Sequence, residues 1–310
     1  MTESQWLVSA DPAVMLHWLN PGNARVGKIG EMVDTHHLWT DRKLRLFAVA
    51  CCRQVWNHLT DDTPCPLCDG GKRADPTELT RCPDCSGTGR INRSHWAVKV
   101  AERFADGGAT EEERVAADNA ATAAATRFDQ RARTAEMLAA WGVTRAVART
   151  IQHENLNALV GDYSPGVPPA TRAALLRDIF GNPFRPVVPF CGRKRIVTEY
   201  IDAPHLSGKD NQCPSCGAIM TWNMHAVPNI ARHIYRSRAW DHMPILADAL
   251  EDAGCTNEDL LRHCRGQERC PECWMTEKLV CGTCTGNGLI PLRSPHVRGC
   301  WVVDLILGRR

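Results

Sequence analysis

Along most of the chain, apolar residues recur at steps of three and four, the spacing of helices that bury one face. Between Asp41 and Leu59 the series Leu44, Phe47, Ala48, Cys51, Val55 and Leu59 marks a single such face. Helix starts are written in polar residues. Asp11 before Pro12 can cap free amides while proline takes the first helical position, and Asn20-Pro21-Gly22 ends the short helix that closes at Leu19. Ser94 to Ala105 reads as a helix stopped by Gly107-Gly108. Thr110 with Glu113 forms a capping box, and the alanine-rich run from there to about Leu159, broken near Gly142, reads as one long helix or a pair. Further helices are expected from Pro169 to Phe180, Pro228 to Arg238, Pro244 to Asp252, Thr256 to Cys264 and Pro295 to Leu307. The last contains VVDLILG, apolar nearly all round and therefore central. Strand-like patterning is scarce outside three cysteine-rich stretches. The fold class predicted is mainly α: a helical bundle or array carrying small zinc-ribbon or zinc-knuckle hairpins.

Those stretches interrupt the helical pattern. The first reads CPLCDGGKRADPTELTRCPDC and sets Cys65, Cys68, Cys82 and Cys85 in C-x2-C pairs 13 residues apart. Two such turns bring four thiolates to the corners of a tetrahedron, the arrangement that structural zinc requires. CPECWMTEKLVCGTC repeats the device with Cys270, Cys273, Cys281 and Cys284 and 7 intervening residues, room for a tight hairpin. Glycines after the knuckles allow left-handed turns that aim amides at the sulfurs.

The middle stretch is less regular. VPFCG resembles a ribbon knuckle with valine in place of its first cysteine, and CPSCG is intact, so Cys191, Cys213 and Cys216 offer three sulfurs. His205, in the loop between them, is the favoured fourth ligand. His225, water, or a degenerate site holding nothing are the alternatives. Cys51 and Cys52 point about 100° apart on one helix and do not clamp one ion. Cys255, Cys264 and Cys300 read as small core residues.

Composition narrows the setting. A chain of 310 residues with 44% hydrophobic content can build its own core, so its 16 cysteines are not needed to compensate for small size. The N-terminus lacks a secretory leader and no run spans a bilayer, which implies a cytoplasmic protein with no membrane partner. In that reducing compartment, metal ligation explains the cysteines better than disulfides. With 37 basic against 35 acidic residues, no global field draws the chain to nucleic acid. Local basic clusters remain: Arg193 to Arg195, Lys72 with Arg73, and Arg232, His233, Tyr235, Arg236 and Arg238 on one predicted helix.

CPDCSGTG and CGTCTGNG resemble the C-x-x-C-x-G-x-G zinc region of DnaJ-type co-chaperones, but no His-Pro-Asp tripeptide occurs, so the resemblance does not extend to a J-domain. A second resemblance rests on MLHWLNPG, DRKLRLFAVACCRQVW, AERFADG, LLRDIFGNPFRPV, MPILADALEDAGC, HCRG and PHVRGCWVVDLILG. These look like a helical family of hypothetical proteins from planctomycete bacteria of the Gemmata type. That resemblance implies one helical domain over residues 1–310, interrupted by inserts at 62–92, 187–227 and 267–293. Zinc would order each insert, since a loop of about 20 to 30 residues buries too little apolar surface to fold alone.

The expectation that follows is a zinc protein holding two structural ions, with a third at the middle stretch. A non-catalytic adaptor or scaffold that recognises a protein partner fits best, because complete sulfur sets leave no coordination position for substrate. Nucleic-acid binding through basic ribbons is the alternative. An enzyme, metal- or thiol-dependent at the middle cysteines, ranks behind both, since no catalytic motif stands out and no thioredoxin-like pattern surrounds a C-x-x-C pair.

Overall fold

The structure, a computed structural model, describes residues 1–20, 38–59, 63–64, 88–129, 167–185, 226–253, 255, 257–270, 272–273, 281–284, 286–293 and 295–309. Over these residues the protein is mainly α. The helices are α1 (Glu3–Val8), α2 (Pro12–Leu19), α3 (Asp41–Gln54), α4 (Arg93–Ala105), α5 (Glu111–Asp129), α6 (Pro169–Phe180), α7 (Ala226–Ser237), α8 (Met243–Asp252), α9 (Glu258–Cys264) and α10 (Trp301–Leu307). Two antiparallel pairs complete the set: β1 (Thr63–Pro64) with β2 (Arg90–Ile91), and β3 (Gln267–Arg269) with β4 (Leu289–Pro291).

The chain divides into two compact units. One comprises Asp11–Asn20 and Trp39–Arg172, the other Met1–Ala10, Pro21–Leu38 and Ala173–Arg310.

In the first unit, α3 packs against α4 and α4 against α5. Their core is built from Val49, Cys52, Val55, Leu59, Trp96, Val100 and Ala101, with Ala117 and Ala121 of α5 seated on it. Alanines at that contact let the backbones approach closely. The capping box forms as the sequence implies: Glu113 N donates to Thr110 Oγ1 at 3.2 Å and Thr110 N to Glu113 Oε2 at 2.9 Å. Glu102, buried on α4, is paired with Arg53 of α3 at 2.6 Å, which spares the interior an uncompensated carboxylate. Cys51 and Cys52 lie in the interior, and burial pushes the Cys51 thiol up to about 12, as expected of an inert core cysteine.

In the second unit, α10 packs on α7 and α9, and α8 on α7 and α9. Ile234, Tyr235, Met243, Leu246, Leu250, Cys264, Val302 and Val303 fill the centre. α1, which the hydrophobic pattern does not mark, is made by a reciprocal cap between Thr2 and Gln5 and by buried Trp6. Trp6 Nε1 donates to Gly181 O at 3.2 Å, and Arg177 Nη1 donates to the carbonyls of Trp6 and Ser9 at 3.1 and 3.0 Å. A helix of only two turns is thus held by tertiary bonds rather than by propensity.

The helix expected from Pro295 to Leu307 begins only at Trp301. Gly299 adopts φ +95° and Cys300 N donates to Val297 O at 2.9 Å in a turn, so residues 295–300 form a loop, held against α6 by Val297 N donating to Asp178 Oδ2 at 3.0 Å. Similarly α9 starts at Glu258, where Asn257 caps Leu260 N at 3.0 Å, two residues later than expected. The helical run expected to reach Leu159 passes beyond Asp129 into residues outside those described.

Gly181 ends α6 at φ +71°, and a Cβ there would lie 3.2 Å from the Trp301 ring. Gly181→Ala is expected to lower unfolding free energy by about 1 to 3 kcal/mol, combining backbone strain with displacement of Trp301. Gly108→Ala is the control, since its Cβ would meet nothing closer than 3.5 Å and its φ is not left-handed. Urea denaturation of the two variants checks the difference.

Candidate metal centres

β3 and β4 are each three residues long, and their register pairs Arg269 with Leu289. This sets Cys270, one residue past β3, beside the turn that precedes β4, where Cys270 N donates to Gly288 O at 2.8 Å. Gly286 and Gly288 take φ +91° and +71°, a region costly to other residues. Between them Asn287 Oδ1 accepts from Leu289 N at 2.9 Å, an Asx turn that starts the strand. The GNG tail of the motif therefore has a local task at each residue.

The four cysteines converge as a result. Cys270 Sγ lies 3.6 Å from Cys281 Sγ, Cys273 Sγ lies 3.2 Å from Cys284 Sγ, and all four sulfurs fall within 4.8 Å of one another. Metal–sulfur bonds of about 2.3 Å would place tetrahedral sulfurs about 3.8 Å apart. Cys270, Cys281 and Cys284 are buried, and Ile290 of β4 packs against the cluster. The hydrogen bond from Cys284, then burial, hold the Cys273 thiol above its ordinary value. The set can hold a metal ion.

The first insert is framed in the same way. β1 ends at Pro64, immediately before Cys65, and β2 begins at Arg90, five residues after Cys85. β3 and β4 stand in the same relation to Cys270 and Cys284. Gly89 has φ +67°, and Thr88 Oγ1 accepts from Arg90 N at 3.3 Å, the counterpart of the Asn287 turn. Cys65, Cys68, Cys82 and Cys85 lie outside the described residues, as do Cys191, His205, Cys213 and Cys216 of the middle stretch.

A second group of donors appears where the sequence pattern implies only a core cysteine. Asp178 on α6, His263 on α9, and His296 and Cys300 at the ends of the loop before α10 are all buried, with one donor atom from each within 4.8 Å of the others. His296 Nδ1 and His263 Nε2 lie 2.9 and 3.2 Å from Asp178 Oδ1, and Cys300 Sγ lies 3.2 Å from His263 Nε2 and 3.8 Å from His296 Nδ1. Burial opposes ionisation of Asp178, yet the two imidazoles outweigh it and hold the carboxyl down at about 2. Burial, then the Asp178 charge, push the Cys300 thiol well above its usual value. His296 and Cys300 are four residues apart, a spacing common among metal ligands, but Asp178 lies over a hundred residues away and nothing nearby in the chain announces it.

Compared with known proteins, the chain matches no family model, no curated protein and no solved structure. Among the described residues no helix is long and apolar enough to cross a membrane.

Replacing Cys281 with serine is expected to remove one equivalent of bound zinc per chain, measured by elemental analysis after gel filtration. It should also expose β3 and β4 amides to hydrogen exchange while leaving α7 and α8 protected. Unchanged zinc content would show that the four sulfurs hold none.

Proposed function

We propose that this chain is a zinc-binding adaptor, in which the β3–β4 lobe is a metal-ordered recognition element on a helical unit. The observation that carries this reading is the closed sulfur set. Four cysteines supply every corner of a tetrahedron, leaving no position for substrate or activated water, so an ion there acts by folding the lobe. Among the described residues of the lobe, Cys273 and Ile290 pack against the three buried cysteines. In isolated finger peptides a metal contributes on the order of 10 kcal/mol of folding energy. Around the cluster, Glu272, Gly282, Thr283, Gly286, Asn287 and Pro291 are exposed and available to a partner.

A protein partner is favoured over nucleic acid. Arg232, His233, Arg236 and Arg238 of α7 and the turn after it are exposed, but Tyr235 is buried in the core and covered by the guanidinium groups of Arg298 and Arg309, 4.6 and 4.2 Å from its ring. That helix offers phosphate contacts, and its one Phe, Tyr or Trp ring, that of Tyr235, is turned away from solvent.

The reading predicts that tagged wild-type chain recovers a reproducible protein partner from its native cells under nuclease treatment, and that Cys281→Ser recovers at least about tenfold less. Recovery that disappears with nuclease, alongside a gel shift that weakens steeply with salt, would replace the protein partner with nucleic acid. Equal recovery by the two chains would remove the lobe from recognition.

A further inference from the structure

The β3–β4 lobe leaves the buried group at Asp178 unexplained. A carboxylate, two imidazoles and a thiol from four separated positions point their donor atoms at one spot inside a helical unit. Hydrogen bonding alone accounts for part of this. Asp178 Oδ1 can accept from His296 Nδ1 at 2.9 Å and from His263 Nε2 at 3.2 Å. It does not account for Cys300, whose sulfur stands 3.2 Å from that same His263 nitrogen, already committed to the carboxylate. A single N–H does not serve both acceptors well, and a buried thiol is a weak partner.

Coordination accounts for all four atoms at once. Bonds of about 2.0 Å to nitrogen and oxygen and about 2.3 Å to sulfur set tetrahedral donors roughly 3.3 to 3.6 Å apart. Four of the six donor pairs here measure 2.9, 3.2, 3.2 and 3.8 Å, and the remaining two fall within 4.8 Å. The charge also balances. Asp178 and a Cys300 thiolate carry two negative charges, which cancel a divalent cation, so the occupied site is neutral where an isolated buried ion would be costly. The supporting contacts are in place as well. Asp178 Oδ2 accepts from Val297 N at 3.0 Å, which orients Oδ1 toward the other donors. Asp304 N donates to Cys300 O at 2.9 Å, starting α10 at the cysteine itself. An approach exists too: Asp178 and His263 line a cleft of about 110 Å³ together with Trp6, Arg177, Gln267 and Trp301. The arginines of that cleft are engaged, Arg185 with Glu3, Arg269 with Asp259 and Arg293 with Glu268, so it does not present a free anion site.

We infer that Asp178, His263, His296 and Cys300 form a second, mixed-donor site for a divalent ion of the zinc class, tying α6, α9, the loop at 295–300 and α10 together. Imidazole with one thiolate suits Zn²⁺ and, as a spectroscopic substitute, Co²⁺, and disfavours the hard oxygen-seeking Mg²⁺ and Ca²⁺. The site shares no residue with the four cysteines of the lobe and is independent of the adaptor reading.

The deciding experiment is anomalous diffraction at the zinc edge from wild-type crystals prepared with Zn²⁺ and without chelator. Two separate peaks are expected in this unit, one among Cys270, Cys273, Cys281 and Cys284 and one within bonding distance of Asp178, His263, His296 and Cys300. A peak only at the cysteines overturns the second site and leaves the first standing; a peak only at Asp178 does the reverse. In solution, His296→Ala and Cys281→Ser should each lose one zinc equivalent and the double variant two. A folded His296→Ala chain with wild-type zinc content contradicts the inference, and if that variant does not fold the wild-type diffraction decides.

Discussion

Asp178 brings a full negative charge into the interior of a helical unit, and the surroundings are arranged around that fact. Two imidazoles and a backbone amide face its oxygens. Without them the carboxylate would be protonated or expelled, because burial alone drives it toward the neutral form. The partners come from α9 and from a loop, so satisfying one side chain fixes the positions of three elements, α6 among them. Gly181, three residues on, continues the same constraint by meeting Trp301 without a side chain. The loop that carries His296 and Cys300 turns at left-handed Gly299, and its Val297 amide is thereby free to serve the carboxylate.

A different device orders the β3–β4 lobe. Three paired residues, two left-handed glycines and an Asx turn deliver two C-x2-C knuckles to one point. The four sulfurs gathered there can hold a metal ion. The β1–β2 pair shows the same framing, with threonine taking the place of the asparagine, so the framing strands follow one local grammar.

The lobe and the buried group differ in how plainly the chain announces them. C-x2-C repeats are local: the two cysteines of each turn are near neighbours in the chain, and only a hairpin is needed to unite the pairs. Spacing alone therefore marks Cys270, Cys273, Cys281 and Cys284 as a set that can converge. Helix positions are legible for a similar reason, since signals such as Asp11, Thr110 and Pro169 act within a turn or two of themselves. α1 escapes the periodic pattern because a six-residue helix carries little of it and is held by Arg177 and Gly181, far along the chain.

What the sequence by itself determined is whatever acts at short range: the helical class, the caps, the glycine turns and the sulfur quartet at the lobe. Tertiary structure alone decided that Asp178, His263, His296 and Cys300 meet, that the helix expected from Pro295 waits until Trp301, and that Tyr235 turns inward beneath two arginines. The partners of Asp178 lie on other elements, and packing chose them through the cost of leaving a buried charge unanswered.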